Sequence, residues 1–295
     1  MKVLSAKGKP CRELFICITE GILEMELIKN RIVVKVGTST LTHESGALDI
    51  RTIDKLAQVL SAIRNSGYEV VLVSSAAIAV GVSKMRLPER PREIRMKQAA
   101  AAVGQCELMH IYDKVFSEYG NLVAQILLTS DDVETLEKKQ NLSNTFSALL
   151  ENGIIPIVNE NDSVSYAQIE TKHKVFGDND TLSAVVAVLC GAEKLLILSD
   201  IDGLYDGNPK GDEPVHLISR VERIDDSIRA LTGGAGTSRG TGGMITKLEA
   251  AEIVTEKGID MYIVNGSRPE YIYDVLDGRL VGTHFVGRKS EVKDA

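Results

Sequence analysis

Five times along this chain a helix-like segment ends at a glycine and an apolar run follows within a few residues. The glycines are Gly67, Gly120, Gly153, Gly191 and Gly258. The runs are Val70–Val73, Leu122–Leu128, Ile154–Val158, Leu195–Leu198 and Met261–Val264. Glycine in that place acts as the left-handed cap of a helix C-terminus. Runs that are apolar almost throughout, with little alternation, read as strands covered on both faces. Helix and strand in alternation therefore predict an α/β fold, a mainly parallel central sheet wound with helices on both sides. With 295 residues the chain could form one large domain or two small ones. One continuous sheet is the preferred reading. The polar, glycine-containing stretch Tyr205–Glu213 is the best place for a loop between two lobes.

An earlier strand, Ile32 to Val36, carries one lysine, Lys35, and breaks at Gly37 into Thr38, Ser39 and Thr40. A strand that ends in glycine and small hydroxyl residues can bring backbone N–H groups and a lysine to the same anion. Its ordinary reading is a strand with a snorkelling lysine. Net charge is −7, which argues against a nucleic-acid footprint. A phosphate site here must then come from a few lysines and backbone amides. No apolar run reaches the roughly 18–20 residues of a membrane span. Cys11, Cys17, Cys106 and Cys190 lack metal-ligand spacing and read as reduced thiols of a cytoplasmic protein. Residues 1–30 carry Glu13, Glu20, Glu24 and Glu26 through their apolar part, unlike a signal peptide, and receive no role.

Four further stretches carry chemistry or simple capping. Val70–Val73 runs into Ser74-Ser75-Ala76-Ala77, a strand-to-helix junction with free N–H groups that suit an anion, or a plain serine cap. Asn159-Glu160-Asn161-Asp162 follows the strand Ile154–Val158, at the kind of strand end where open α/β sheets hold ligands. Gly177-Asp178-Asn179-Asp180 precedes the apolar helix Thr181–Leu189, its acids complementing the helix dipole, binding an ammonium, or holding a Mg²⁺-bound nucleotide indirectly. Lys172, His173 and Lys174 lie in the intervening loop, either as a charged surface or as partners for an acidic ligand. Gly233 to Gly243 holds six glycines in eleven residues before Met244-Ile245-Thr246-Lys247 and a helix with Leu248, Ala251 and Val254 on one face. Such glycine density costs chain entropy; close approach to phosphates is one reason for it, and a disordered surface loop is the plainer reading. Lys247 opens that helix, where a cation opposes the dipole unless an anion joins it. The loop is not a Walker A motif, and no Gly-x-Gly-x-x-Gly follows the first strand.

Taken in order, Val-Lys-Val-Gly-Thr-Ser, Val-Asn-Glu-Asn-Asp, Phe-Gly-Asp-Asn-Asp, Leu-Ser-Asp-Ile-Asp-Gly-Leu-Tyr and Gly-Thr-Gly-Gly-Met-Ile-Thr-Lys resemble the amino acid kinase family, and within it the branch that phosphorylates glutamate. The similarity runs from about Arg31 to Phe285. It implies a three-layer αβα sandwich, one kinase domain over 31–290, and transfer of a phosphoryl group from Mg²⁺-bound ATP to the side-chain carboxylate of L-glutamate, the first step of proline biosynthesis.

By the same resemblance, Lys35 contacts the transferring phosphoryl group, and Ser75, Asp162 and Asn179 bind glutamate. Ser199 and Asp200 stand at the nucleotide site, with Asp200 also orienting the lysines. Thr241, Gly242, Gly243, Met244, Ile245, Thr246 and Lys247 form the nucleotide loop, with Lys247 on the phosphates. No protein metal ligands are implied. A homo-oligomer, feedback inhibition by proline and hand-over of product to glutamyl-5-phosphate reductase are further expectations. The chain departs from the family pattern at Ala76, where glycine is usual, and in a longer Asp162–Gly177 loop. It also lacks room for the C-terminal PUA domain that many members carry. Alternatives on the same fold are kinases of N-acetylglutamate, aspartate, carbamate or UMP. Another is a catalytically weak, nucleotide-binding regulatory subunit, to which Ala76 alone points.

Overall fold

The computed structural model describes residues 27–43, 45–165, 178–209, 214–231 and 243–288. The elements follow in chain order: β1 (Ile28–Val36), α1 (Thr38–Leu41), α2 (Ile50–Asn65), β2 (Glu69–Ser74), α3 (Ala77–Lys84), α4 (Ile94–Glu118), β3 (Val123–Leu128), α5 (Leu136–Glu151) and β4 (Ile155–Glu160). Then come α6 (Asn179–Leu189), β5 (Ala192–Ser199), β6 (Arg220–Val221), α7 (Asp226–Ala230), α8 (Met244–Thr255), β7 (Asp260–Asn265), α9 (Tyr271–Leu276) and β8 (Thr283–Phe285). The strands make one sheet in the order β3-β4-β2-β1-β5-β7-β8-β6. All pairs are parallel except β7 with β8. The single continuous sheet and its mainly parallel character match the expectation. The sheet starts earlier than Arg31, because Ile28 already pairs with Ala192.

The five capping glycines all take positive φ, from 65° at Gly191 to 101° at Gly67. Each turns a helix end back toward the next strand, as the spacing required. Side chains then sort by strand parity. Along β1, Ile32, Val34 and Val36 face a core shared with α2 and α4, among them Leu56, Leu60, Leu108, Tyr112 and Phe116. Val33 faces the opposite core, shared with α5, α6 and α8. Helix α6 is buried from Asp180 through Leu189, so it has no solvent face. Helix α8 is buried more widely than the expected single face, since Ala250 and Ile253 join Leu248, Ala251 and Val254. The reason is that it packs on α6 as well as beside β7.

Helices α3 and α4 meet at backbone distance. A Cβ on Gly104 would stand 1.8 Å from the carbonyl oxygen of Ala77, and one on Gly81 would stand 1.8 Å from that of Ala100. These two glycines let α4 lie against the first turn of α3, which carries one wall of the site. Among the described residues no helix is long and apolar enough to cross a membrane. Cys106 and Cys190 are free thiols. Cys11, Cys17, Lys172, His173, Lys174, Thr241 and Gly242 lie outside the described residues, as does most of the Asp162–Gly177 loop.

Candidate active site

The chain leaves β1 for β2 on one side, and later returns to place β5 on the other side of β1. Such a reversal opens a crevice at the carboxyl ends of the strands. Into it project Lys35 from β1, Asp180 from the first turn of α6 and Lys247 from the first turn of α8. The Lys35 Nζ lies 2.6 Å from Asp180 Oδ1, and the Lys247 Nζ lies 3.0 Å from Asp180 Oδ2. The Thr246 hydroxyl also donates to Asp180 Oδ2, at 3.0 Å. All three charged residues are buried, Asp180 being only 1% exposed. Burial is the largest influence on the Asp180 carboxyl and pushes its pKa up. Lys35 and Lys247 together outweigh it and hold the group at about 2. Two ammonium groups on one carboxylate leave a surplus positive charge in a buried place, which an incoming anion would complete.

This geometry corrects one expectation. The acid that ties the two lysines together is Asp180, not Asp200. Asp200 is exposed at the end of β5, where its Oδ1 accepts from the Ser199 hydroxyl at 3.2 Å. The physical difference is burial: a carboxylate sunk in a wholly buried helix must meet cations. Ser199 itself is buried, and its carbonyl accepts from the Gly266 N–H at 2.7 Å, joining the ends of β5 and β7. Gly243 is the N-cap of α8 and has open space where a Cβ would stand. Met244 is half-buried and Ile245 exposed, so the described part of the expected nucleotide loop opens outward while Lys247 turns in.

On the other side of the crevice the groups that touch one another are neutral. Asn179 Nδ2 donates to Ser75 Oγ at 2.8 Å, to Asn159 Oδ1 at 2.9 Å and to the Ser74 carbonyl at 3.3 Å. The predicted pair Ser75 and Asn179 is therefore in direct contact across 104 residues of chain. Asp162 sits beyond the end of β4 and hydrogen-bonds to neither. Burial raises the Asp162 pKa, and the charge of Arg90 pulls it part of the way down. Ala76 is the N-cap of α3 with φ 84° and is buried. That is left-handed backbone, and alanine holds it at a cost of about 1–2 kcal/mol.

Three residues of this site were not singled out from the sequence: Asp180, Asn159 and Gln105. Asp180 and Asn159 stood inside the quoted motifs. The readable signal for Asp180 was a carboxylate heading a helix otherwise made of small and aliphatic residues, which must be buried and so must be paired. Gln105, mid-helix in α4, reaches Asn159 and offered no local signal.

A crevice at the switch point of a parallel sheet, with two lysines and a glycine-headed helix for phosphates beside a neutral amide cradle, defines a phosphoryl-transfer class of site. Residues 30–265 match the model of the amino acid kinase family, and the chain belongs to that family. Its curated relatives include the glutamate 5-kinase of Clostridium perfringens, 56% identical over 88% of this chain and 97% of that protein. The glutamate 5-kinase of Listeria innocua is 51% identical over 90% of this chain and 97% of that protein. Among solved structures, a carbamate kinase from Giardia lamblia bound to AMP-PNP superposes with a TM-score of 0.62 at 16% identity, covering 90% of this chain and all of that one. That likeness supports the fold.

Proposed function

We infer that the protein is a glutamate 5-kinase. It transfers the γ-phosphoryl group of ATP to the side-chain carboxylate of L-glutamate, giving ADP and L-glutamyl 5-phosphate, the first step of proline biosynthesis. The observation that carries the mechanism is the buried Lys35–Asp180–Lys247 cluster between the amide cradle and the glycine-headed helix α8. A carboxylate acceptor is already ionised at neutral pH, so no general base is required. The difficulty is to bring two anions together and to support charge on the group in flight. Lys35 and Lys247 supply that positive charge, and Asp180 fixes where their ammonium groups stand. Ser75, Asn179 and Asp162 hold glutamate. Ser199, Asp200 and the loop Thr241–Lys247 hold the nucleotide.

Mg²⁺ would ride on the nucleotide phosphates, a usual arrangement for this ion. The described residues suit that role, since the carboxylate of Asp180 is already committed to Lys35 and Lys247. A homo-oligomer, a cytoplasmic location, feedback inhibition by proline and passage of the labile product to glutamyl-5-phosphate reductase belong to the same proposal. The test is hydroxamate formation from purified protein, Mg²⁺, ATP, hydroxylamine and single acids. Signal with glutamate, and not with N-acetylglutamate or aspartate, is expected. Signal with another acid instead would overturn the substrate assignment, and millimolar proline that left the rate untouched would remove the feedback.

A further inference from the structure

The amide cradle continues inward past the residues that touch its surface. Gln105, on α4, is buried, and its Oε1 accepts from Asn159 Nδ2 at 3.0 Å. Asn159 Oδ1 then accepts from Asn179 Nδ2 at 2.9 Å, and the same Nδ2 donates to Ser75 Oγ at 2.8 Å. An amide has two ends of nearly equal shape and opposite hydrogen-bonding sense. In this chain Gln105 orients Asn159, and Asn159 in turn orients Asn179. With its Nδ2 committed, Asn179 keeps Oδ1 as a spare acceptor. Ser75 accepts through Oγ and so keeps its hydroxyl proton to donate. The outcome is a polarised pair: an acceptor suited to an ammonium group and, next to it, a donor suited to a carboxylate.

We propose that Gln105 is a positioning residue that sets this polarity, and thereby selects an acceptor substrate carrying an ammonium group over a plain dicarboxylate. The proposal rests on the glutamate-kinase reading above. Without the Gln105 acceptor, Asn159 is free to turn over and present Nδ2 toward Asn179, whose own orientation then rests on the long 3.3 Å bond from Nδ2 to the Ser74 carbonyl and is more readily reversed. An amide N–H would face the substrate ammonium in place of an oxygen. Gln105 lies behind Asn159, so its effect reaches substrate only through the two asparagines.

The experiment compares wild type with Gln105→Met, which keeps length without an acceptor, Gln105→Asn, which withdraws the acceptor by one methylene, and Gln105→Glu, which keeps an accepting oxygen. Each is assayed with L-glutamate, with glutarate, which lacks the ammonium, and for KM of ATP. Gln105→Met and Gln105→Asn are expected to raise KM for glutamate about tenfold, with KM for ATP within about twofold. Their preference for glutamate over glutarate in kcat/KM should fall about tenfold, and Gln105→Glu should stay within about threefold of wild type on every measure. Should Gln105→Met fail to fold, Gln105→Asn carries the same reading. An unchanged glutamate-to-glutarate ratio in the loss variants would overturn the proposal. So would a parallel rise in both KM values in all three variants, which would mark a purely structural role. Wild type inactive on glutamate would be the failure of the functional reading itself, seen before any variant is made.

Discussion

Replacing Asp180 by asparagine tests the centre of the site. The substitution keeps the shape of the side chain and removes the one negative charge between two buried ammonium groups. Breaking a buried ion pair from one side typically costs about 3–5 kcal/mol, because the remaining charge loses its partner while staying desolvated. The pH dependence gives an independent measure. Asp180 has a folded-state pKa of about 2 against 3.8 for an ordinary aspartate. A depressed carboxylate pKa contributes stability that is full above the unfolded value and is lost as pH falls toward the folded one. Its size here is about 2 kcal/mol. Urea unfolding at pH 7 should therefore place Asp180→Asn about 3–5 kcal/mol below wild type. That gap should narrow by about 2 kcal/mol as the buffer is taken from pH 5 to pH 2. ATP binding should not weaken, since the variant cluster is more positive, while turnover should fall at least about a hundredfold as the lysines lose their tether. A variant within about 0.5 kcal/mol of wild type, with a gap that does not change with pH, would refute the reasoning.

Five other outcomes are expected. Lys35→Ala should lower kcat far more than it raises KM for ATP, and equal turnover in mutant and wild type would remove its proposed role. Ala76→Gly relieves about 1–2 kcal/mol of left-handed strain but gives up a buried methyl and about 0.4–1 kcal/mol of unfolded-state restriction, so its thermal midpoint should stay close to wild type. Ala76→Val, by contrast, should lower the midpoint by many degrees, because a branched side chain tolerates φ 84° poorly. Gly104→Ala must part α3 from α4, costing about 1–3 kcal/mol and raising KM for glutamate through the displaced Ser75, both readable by denaturation and kinetics. Finally, since burial raises the Asp162 pKa, kcat/KM for glutamate should fall on acidification at a higher pH than an ordinary aspartate would give, and Asp162→Asn should abolish that dependence in a pH–rate profile.

What could be read from the sequence followed from backbone chemistry. Glycine is nearly the only residue that takes the left-handed cap at Gly67, Gly120, Gly153, Gly191 and Gly258 without strain, so the helix-to-strand turns announced themselves. Runs such as Leu195–Leu198 could only be interior strands. The residues brought to the strand ends, Lys35, Ser75, Asn179 and Lys247, were legible because each sat at a junction where a strand or helix begins or stops. Of the two acids at such junctions, it is Asp180 and not Asp200 that lies between the lysines. Position along the chain does not say which of two acids a fold will bury. Gln105 was invisible because its partner is 54 residues away and the contact exists only once β4 lies under α4. Long-range pairing between side chains has no local periodicity to betray it.

On the proposed assignment of residues, the two halves of the crevice use different physics, and the difference follows from what each must do. The phosphate half needs attraction that grows as charge gathers on the transferring group, so it uses whole charges in a buried setting, where they are strongest. Lys35 and Lys247 would repel one another there without Asp180, and a second carboxylate would cancel the attraction altogether. One acid between two lysines leaves the cluster stable and still positive. The glutamate half faces a molecule that brings its own charges of both signs. A further lysine there would bind the reacting carboxylate, but would also hold its negative charge back from the phosphorus. Neutral dipoles of fixed direction, Ser75 and Asn179 set by Asn159 and Gln105, can distinguish ammonium from carboxylate while leaving the attacking oxygen its charge. The same logic explains why the cradle is buried from behind: a dipole recognises a charge only if it cannot turn over, and only packed neighbours with committed hydrogen bonds prevent that.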